Sequence, residues 1–151
     1  MIPKEIFLEK LHQIKAKLED WNYESLYGKG LYKTTVKYAH LEIEIRKRRD
    51  ENSLIIWSVT DEQIPSKYYD YKPYIEESIQ FFVGHLNSLK VERTELTFEI
   101  KNGSYHPVDT NDRLYSYATI NAIINCFDKE IAKFDESWVE HIKKLVNKIE
   151  K

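Results

Sequence analysis

The sequence predicts a single α+β domain in which helices pack against a four-stranded, mainly antiparallel sheet. Apolar residues repeat with a period of two in some segments and at helical spacing in others, in the order helix, three strands, helix, strand, helix, helix. The chain has 151 residues, which suits one domain (1–151) with a single core. Only four glycines and four prolines interrupt it, which favours long elements with short connections.

The first quarter of the chain is predicted to form one helix and a strand. Pro3 suits the first turn of a helix over residues 3–20. One stripe of apolar side chains recurs there at steps of four and three: Phe7, Leu11, Ile14, Leu18 and Trp21. Gly28 and Gly30 then interrupt the pattern, and residues 30–36 are prone to form a strand.

Two further strands follow, joined by a polar segment. Apolar and polar side chains alternate over residues 38–46, as in a half-buried strand. Residues 46–53 are polar, and residues 54–59 form a short apolar run. A hairpin between residues 38–46 and 54–60 is the simplest pairing.

The second half is predicted to contain a helix, a strand and two more helices. Pro73 opens a helix that Gly84 is expected to end. Residues 91–101 alternate like a strand, and an apolar helical stripe runs from Leu114 to Phe127. The last helix, near residues 135–149, carries a stripe made of Trp138, Ile142, Leu145 and Ile149. The two terminal helices can cover the domain's own core, pair with each other or form a dimer seam, and we favour the first arrangement.

Composition excludes several classes of protein. Hydrophobic residues make up 42% and charged residues 32%, as in globular chains, and the net charge of −2 argues against a nonspecific basic nucleic-acid binder. The single cysteine, Cys126, is expected to pack in the core in a reducing compartment. No apolar run approaches the roughly 20 residues that span a membrane, and the N-terminus lacks a signal-peptide pattern. We therefore expect a cytoplasmic protein that does not contact membranes.

Motifs for nucleotide, metal or acid–base chemistry are weak. Gly28-Lys29-Gly30 is too short for a phosphate-cradling loop, so no nucleotide is expected. One cysteine and five histidines show no ligand spacing, so no metal or other cofactor is expected. His106 and Asp109 are three residues apart, but no nucleophile accompanies them, and a helix-capping Asp109 is the favoured interpretation.

The most informative segment joins the strand at residues 91–101 to the next helix. Asn102-Gly103 ends the alternation, Pro107 prevents its return, and Asp109, Thr110 or Asn111 can cap a helix. His106 therefore lies on a stiffened loop between two rigid elements, a common location for a contact residue.

Two sets of basic residues are candidate phosphate contacts. The run Arg46, Lys47, Arg48 and Arg49 either contacts phosphates or is a solvated hairpin tip. Lys29, Lys33 and Lys37 form a thinner row, in which Lys33 and Lys37 share one side of a strand. His40, on the polar side of residues 38–46, is expected to be a cross-strand partner.

Four islands in the chain resemble domain IV of translation elongation factor G and its relatives. The first two are Tyr38-Ala39-His40-Leu41-Glu42-Ile43-Glu44 and Ile64-Pro65-Ser66-Lys67-Tyr68. The third is Gly84 with Leu86, and the fourth is Asn102-Gly103-Ser104-Tyr105-His106-Pro107-Val108-Asp109-Thr110-Asn111. Their order and gaps nearly match the family over residues 28–127, and residues 1–25 and 130–151 are flanking helices outside the resemblance.

The resemblance implies a fold and a contact surface. It implies a four-stranded sheet with a left-handed βαβ crossover, and a tip loop that reaches the ribosomal decoding site and resembles the anticodon arm of a transfer RNA. The implied contacts with RNA or the ribosome are Ser104, Tyr105, His106 and Pro107, with Lys33 and Lys37 beside them and residues 46–49 as a second patch.

The chain also departs from the family. It has no GTPase domain, and Thr34-Thr35-Val36-Lys37 replaces the family's Gly-rich second tip loop. We expect a non-catalytic module that binds the ribosome or its RNA. The alternative is a protein-interaction or regulatory module that reuses the fold without binding RNA. Either module can be a monomer or a dimer through its terminal helices.

Overall fold

A computed structural model describes residues 2–34, 37–50, 52–64, 70–106 and 110–150, with side chains up to residue 145. The elements in those ranges, in chain order, are α1 (Lys4–Gln13), α2 (Lys15–Asp20), β1 (Leu26–Lys33), β2 (Tyr38–Lys47), β3 (Ile55–Trp57), α3 (Lys72–Leu89), β4 (Leu96–Ser104), α4 (Leu114–Phe127) and α5 (Glu136–Glu150). The predicted α+β class is confirmed.

The four strands form one mixed sheet in the order β1-β2-β4-β3. β2 is antiparallel to both of its neighbours, β1 and β4, while β3 runs parallel to β4. The helix α3 connects β3 to β4, which gives a βαβ unit of adjacent parallel strands. The sheet is therefore mainly antiparallel with one parallel edge.

The predicted hairpin between residues 38–46 and 54–60 is wrong. β2 is paired along its length with β1 on one side and β4 on the other, so neither of its edges is available to β3. These two neighbours have eight and nine residues, whereas β3 has three. The longer ladders satisfy more backbone groups, and β3 is left to pair with the outer edge of β4.

One face of the sheet is covered by α4, which lies very close to β1. The sequence predicted that Gly28 and Gly30 interrupt the pattern. Instead, both glycines lie inside β1, against this helix. A Cβ atom on Gly30 would overlap the carbonyl oxygen of Ala118 and lie 2.5 Å from the amide nitrogen of Ala122. The glycines are needed because any side chain would push the helix off the sheet.

The N-terminal segment packs on the same core, but as two helices. Ile14 separates α1 from α2, with φ −107° and ψ 15°, so the predicted single helix over residues 3–20 is wrong in detail. The predicted apolar stripe is confirmed, because its members are all buried: Phe7, Leu11, Ile14, Leu18 and Trp21. The whole stripe on both sides of the break belongs to the main core.

The prediction that Gly84 ends a helix is also wrong. α3 continues past Gly84 to Leu89, because Leu86 extends its buried face by another turn. Gly84 is exposed, and nothing lies within 4 Å of the position of a Cβ atom there. A solvent-facing glycine costs such a helix only about 1 kcal/mol, which burial of the next turn offsets.

The opposite face of the sheet is polar, and α5 covers part of it. The contact includes a small apolar cluster, separate from the main core: Leu31, Tyr38, Phe134, Trp138, Val139 and Ile142. The C-terminal helix was predicted near residues 135–149 and lies at Glu136–Glu150. The first two members of its predicted stripe, Trp138 and Ile142, face the sheet, whereas Leu145 is 39% exposed.

Candidate nucleic-acid interface at the end of the sheet

Two loops meet at one end of the sheet, which we call the tip: Thr34, Lys37, Tyr105, His106 and Thr110. β1 ends and β2 begins at the pair Lys33 and Tyr38, and β4 ends at Ser104 opposite His40. The connection after β1 and the segment after β4 therefore leave the sheet side by side. This is the arrangement of two neighbouring loops that the resemblance implies.

Two hydrogen bonds join Thr34 and Lys37 in the first tip loop. The Thr34 amide donates to the Lys37 carbonyl oxygen at 2.8 Å, and the Lys37 amide donates to the Thr34 hydroxyl at 3.1 Å. The Lys37 side chain is exposed. A positive charge is thus held directly before β2, at the tip.

The second tip loop is closed by two hydrogen bonds between His106 and Thr110. The His106 amide donates to the Thr110 hydroxyl at 2.7 Å, and the Thr110 amide donates to the His106 carbonyl oxygen at 3.1 Å. The side chains of Tyr105 and His106 are half-buried. The Asn111 side chain accepts from the amide of Leu114, the first residue of α4, at 3.3 Å, although the N-cap position of that helix is Arg113. Pro107 and Asp109 lie outside the described residues.

Beneath the tip, Ser104 joins a buried polar network instead of facing solvent. Its hydroxyl lies 2.8 Å from His40 Nδ1, and His40 Nε2 lies 2.8 Å from a Glu42 carboxylate oxygen. The Ser104 and His40 residues are 6% and 1% exposed. The resemblance implies that Ser104 is a tip contact, but its side chain supports the tip from inside. The predicted role of His40 as a cross-strand partner is confirmed.

The protonation states of this network follow from burial and charge. Burial lowers the pKa of His40 more than the bond to Glu42 raises it, so the imidazole is neutral. Burial alone would raise the pKa of Glu42, but hydrogen bonds from His40 and Tyr27 outweigh it and lower the pKa to about 2. Since the carboxylate only accepts, Nε2 carries the proton and Nδ1 accepts from the Ser104 hydroxyl.

Glu42 is the acceptor on which the network converges. The Tyr27 hydroxyl donates to the Glu42 carboxylate at 2.6 Å, and the side-chain amide of Asn102 donates to it at 3.2 Å. Gln63 in turn donates to Asn102 at 3.1 Å, which links the network to the segment after β3. Nothing in the spacing of these residues identified the network, although His40 and Glu42 do share the polar side of the predicted strand.

The serine–histidine–glutamate order is the arrangement of an activated nucleophile. The Ser104 hydroxyl is buried, however, and the Tyr38 hydroxyl approaches it at 3.4 Å. A cavity of about 220 Å³ beside His40 and Glu42 is lined by residues of the α5 segment, including Phe134 and Val139. We interpret the network as a structural support for the tip.

The two predicted basic sets lie at opposite ends of the sheet. β2 begins beside the tip at Tyr38 and ends at Lys47, about 30 Å away for a strand of this length. Arg46 lies on the sheet face and donates to Glu44 at 2.6 Å and to Glu99 at 2.7 Å. Ion pairing within the sheet therefore neutralises the first member of the predicted patch.

The rest of the predicted patch surrounds the end of β2. Arg48 donates to Glu95 at 3.2 Å and to the Leu96 carbonyl oxygen at 2.9 Å, whereas Lys47 and Arg49 are exposed. The expected hairpin tip does not exist, since β2 and β3 are not paired. These residues and the tip are too far apart to form one continuous site.

Lys33, the other predicted tip cation, contacts the α5 segment. Its ammonium lies 3.5 Å from an Asp135 carboxylate oxygen and 4.6 Å from the centroid of the Trp138 ring. Lys29 is bound in the same way, because its ammonium donates to Glu136 and lies 5.7 Å from the centroid of the Phe134 ring. Both predicted tip cations, Lys33 and Lys37, are exposed.

The described part of the chain contains neither a cluster of metal-ligand side chains nor a membrane-spanning helix. No group of three or more His, Cys, Asp and Glu side chains there could hold a metal ion. No helix in the same ranges is both long enough and apolar enough to cross a bilayer.

Comparison with known proteins finds similar solved structures but no matching family. The chain is similar to ttk003000868 from Thermus thermophilus, a crystal structure, with 25% sequence identity and a TM-score of 0.45. The match covers 70% of this chain and 15% of that chain. No family model matches the sequence, and no curated protein matches it.

Proposed function

We propose that this protein is a non-catalytic module, similar to domain IV of elongation factor G, that binds ribosomal RNA through its tip. The observation that carries the proposal is the position of Tyr105 and His106, on a hydrogen-bonded loop beside the exposed Lys37. These residues belong to the segment that most resembles the family. A cytoplasmic location, where ribosomes are encountered, is part of the proposal.

The chemistry of the tip suits RNA better than duplex DNA. Aromatic and imidazole rings stack on unpaired bases, and a lysine binds the adjacent phosphate. The bonds between His106 and Thr110 hold these two residues together before binding, so less entropy is lost when RNA is ordered against them. With a net charge of −2, affinity must come from this local surface and not from the field of the whole protein.

The buried network supports a non-catalytic role. Ser104 and His40 have the relative positions of a nucleophile and a base, but their side chains are enclosed and support the tip loop. A buried network whose members hydrogen-bond to one another in this way fixes a conformation.

Co-sedimentation with purified ribosomes over a series of salt concentrations tests the proposal. We expect the protein to pellet with ribosomes at low salt and to be released as salt rises, because phosphate contacts release counterions. No association at the lowest salt concentration would contradict the proposal.

The second candidate is a protein-interaction module that does not bind RNA. It is favoured by the ion pairs that neutralise three of the predicted basic residues: Arg46 with Glu44 and Glu99, Arg48 with Glu95, and Lys33 with Asp135. Affinity purification from the native cell distinguishes the two. One protein partner without ribosomal RNA would support this candidate, and ribosomal RNA would support the first.

A further inference from the structure

The segment before α5 and the start of that helix place two carboxylates on two lysines of β1. Glu136 accepts from Lys29, and Asp135 lies 3.5 Å from the ammonium of Lys33. Each lysine also lies over an aromatic ring of the same segment, Phe134 or Trp138. A single segment therefore supplies both an acid and a ring to each cation.

The two lysines form a row that leads to the tip. Lys33 is the last residue of β1 and is paired with Tyr38, directly before the first tip loop. Lys29 is four residues earlier, on the same face of the strand, because side chains alternate between the faces. Together with the exposed Lys37, they would extend the cationic surface of the tip along the sheet.

The carboxylates hold this row only weakly. The lysine side chains are 37% and 39% exposed, and those of Glu136 and Asp135 are 66% and 52% exposed. Ion pairs with this exposure contribute little to stability. The apolar contact of α5 is the small separate cluster around Tyr38 and Val139. A polyanion that brings phosphates to the row can displace such carboxylates.

We propose that Lys29 and Lys33 form a phosphate-binding row for RNA, and that Asp135 and Glu136 occupy it in the free protein as internal stand-ins for phosphate. The proposal rests on the RNA-binding function of the tip. RNA is the favoured occupant because the row continues into a surface with rings that can stack on bases, Tyr105 and His106. The free protein therefore binds RNA more weakly than its lysines allow.

The test is the double variant Asp135→Asn/Glu136→Gln, which removes both charges and keeps the shapes. Asp135 also caps α5 by accepting from the Trp138 amide at 3.0 Å, and asparagine caps equally well, so the helix is retained. Fluorescence anisotropy with a fluorescein-labelled oligouridine should give an affinity about three- to tenfold higher than wild type. The slope of the logarithm of the binding constant against the logarithm of the salt concentration should become more negative by about 1.

Two controls distinguish an effect of the lysine row from an effect of the change in net charge. Glu19→Gln/Asp20→Asn changes the charge equally, at exposed positions of α2, and should leave the affinity within about twofold. Lys29→Gln/Lys33→Gln, added to the Asp135→Asn/Glu136→Gln protein, should remove most of the gain. A gain no larger than that of the α2 control, or one that survives loss of both lysines, overturns the proposal.

Ribosome co-sedimentation of the same proteins separates this proposal from the function on which it rests. A gain on oligouridine without ribosome binding by any form would support the masked row and overturn the ribosomal function. Ribosome binding by wild type, with no gain for Asp135→Asn/Glu136→Gln on either probe, would overturn the row and leave the function of the tip intact.

Discussion

The lack of a Cβ atom at Gly30 allows α4 to lie close against the sheet. Gly30→Ala should destabilise the protein by about 2–4 kcal/mol, because the new methyl group would overlap the Ala118 carbonyl oxygen. Gly84→Ala is the matched control and should stabilise by about 0.5–1 kcal/mol, since that position is exposed and helical. Urea unfolding measures both changes. Equal effects at the two positions would contradict the close packing.

The buried network makes stability depend on pH. The pKa of Glu42 is lowered from 4.5 to about 2, so its contribution is complete above pH 4.5 and is lost as the pH falls towards 2. That difference corresponds to about 3 kcal/mol. The pKa of His40 is lowered from 6.5, so its protonation favours the unfolded state and stability also declines as the pH falls below 6.5.

Urea unfolding of wild type and Glu42→Gln across this pH range tests the assignment. The variant should be less stable at neutral pH, and its free energy of unfolding should depend less on pH between 4.5 and 2, where the lowered pKa values of Glu99, Asp128 and Asp135 leave a remaining dependence. An unchanged dependence in that range would show that Glu42 is not the group responsible.

At the scale of elements, the helices on the two faces of the sheet differ in how firmly they are held. Almost every side chain of α4 is buried in the main core, whereas α5 rests on a separate small cluster and exposed ion pairs. Amide hydrogen exchange should therefore be faster in α5 than in α4. Trp138→Ala, which removes a ring packed on Tyr38, should lower protection in α5 about tenfold and leave α4 unchanged. Equal loss in both helices would mean that they open together.

The sequence predicted the helices and strands better than it predicted which strands pair. The apolar periodicities located the strands and helices, since period two and helical spacing depend on local burial. Strand pairing depends on which strands form the longest ladders. Both edges of β2 pair with the longer strands β1 and β4, so the short β3 pairs with β4 instead. Gly28 and Gly30 were misjudged as breaks, because their function depends on a helix about 90 residues later in the chain.

At the scale of the whole molecule, the tip was predictable and its support was not. The motif around His106 indicated an exposed loop between a strand and a helix, and the sheet places that loop beside the first tip loop. The polar network joins residues from three strands, and the cover over Lys33 comes from the C-terminal segment. Neither follows from local spacing, because both depend on the tertiary arrangement of the chain.

The central claim is that the tip binds ribosomal RNA, and His106→Ala tests it most directly. We expect the dissociation constant for ribosomes, measured by co-sedimentation at low salt, to rise about tenfold as a stacking and hydrogen-bonding ring is lost. His141→Ala, an exposed histidine of α5, is the control and should bind like wild type. Thermal unfolding of both variants should remain within error of wild type. Unchanged ribosome binding by a folded His106→Ala protein would contradict the claim.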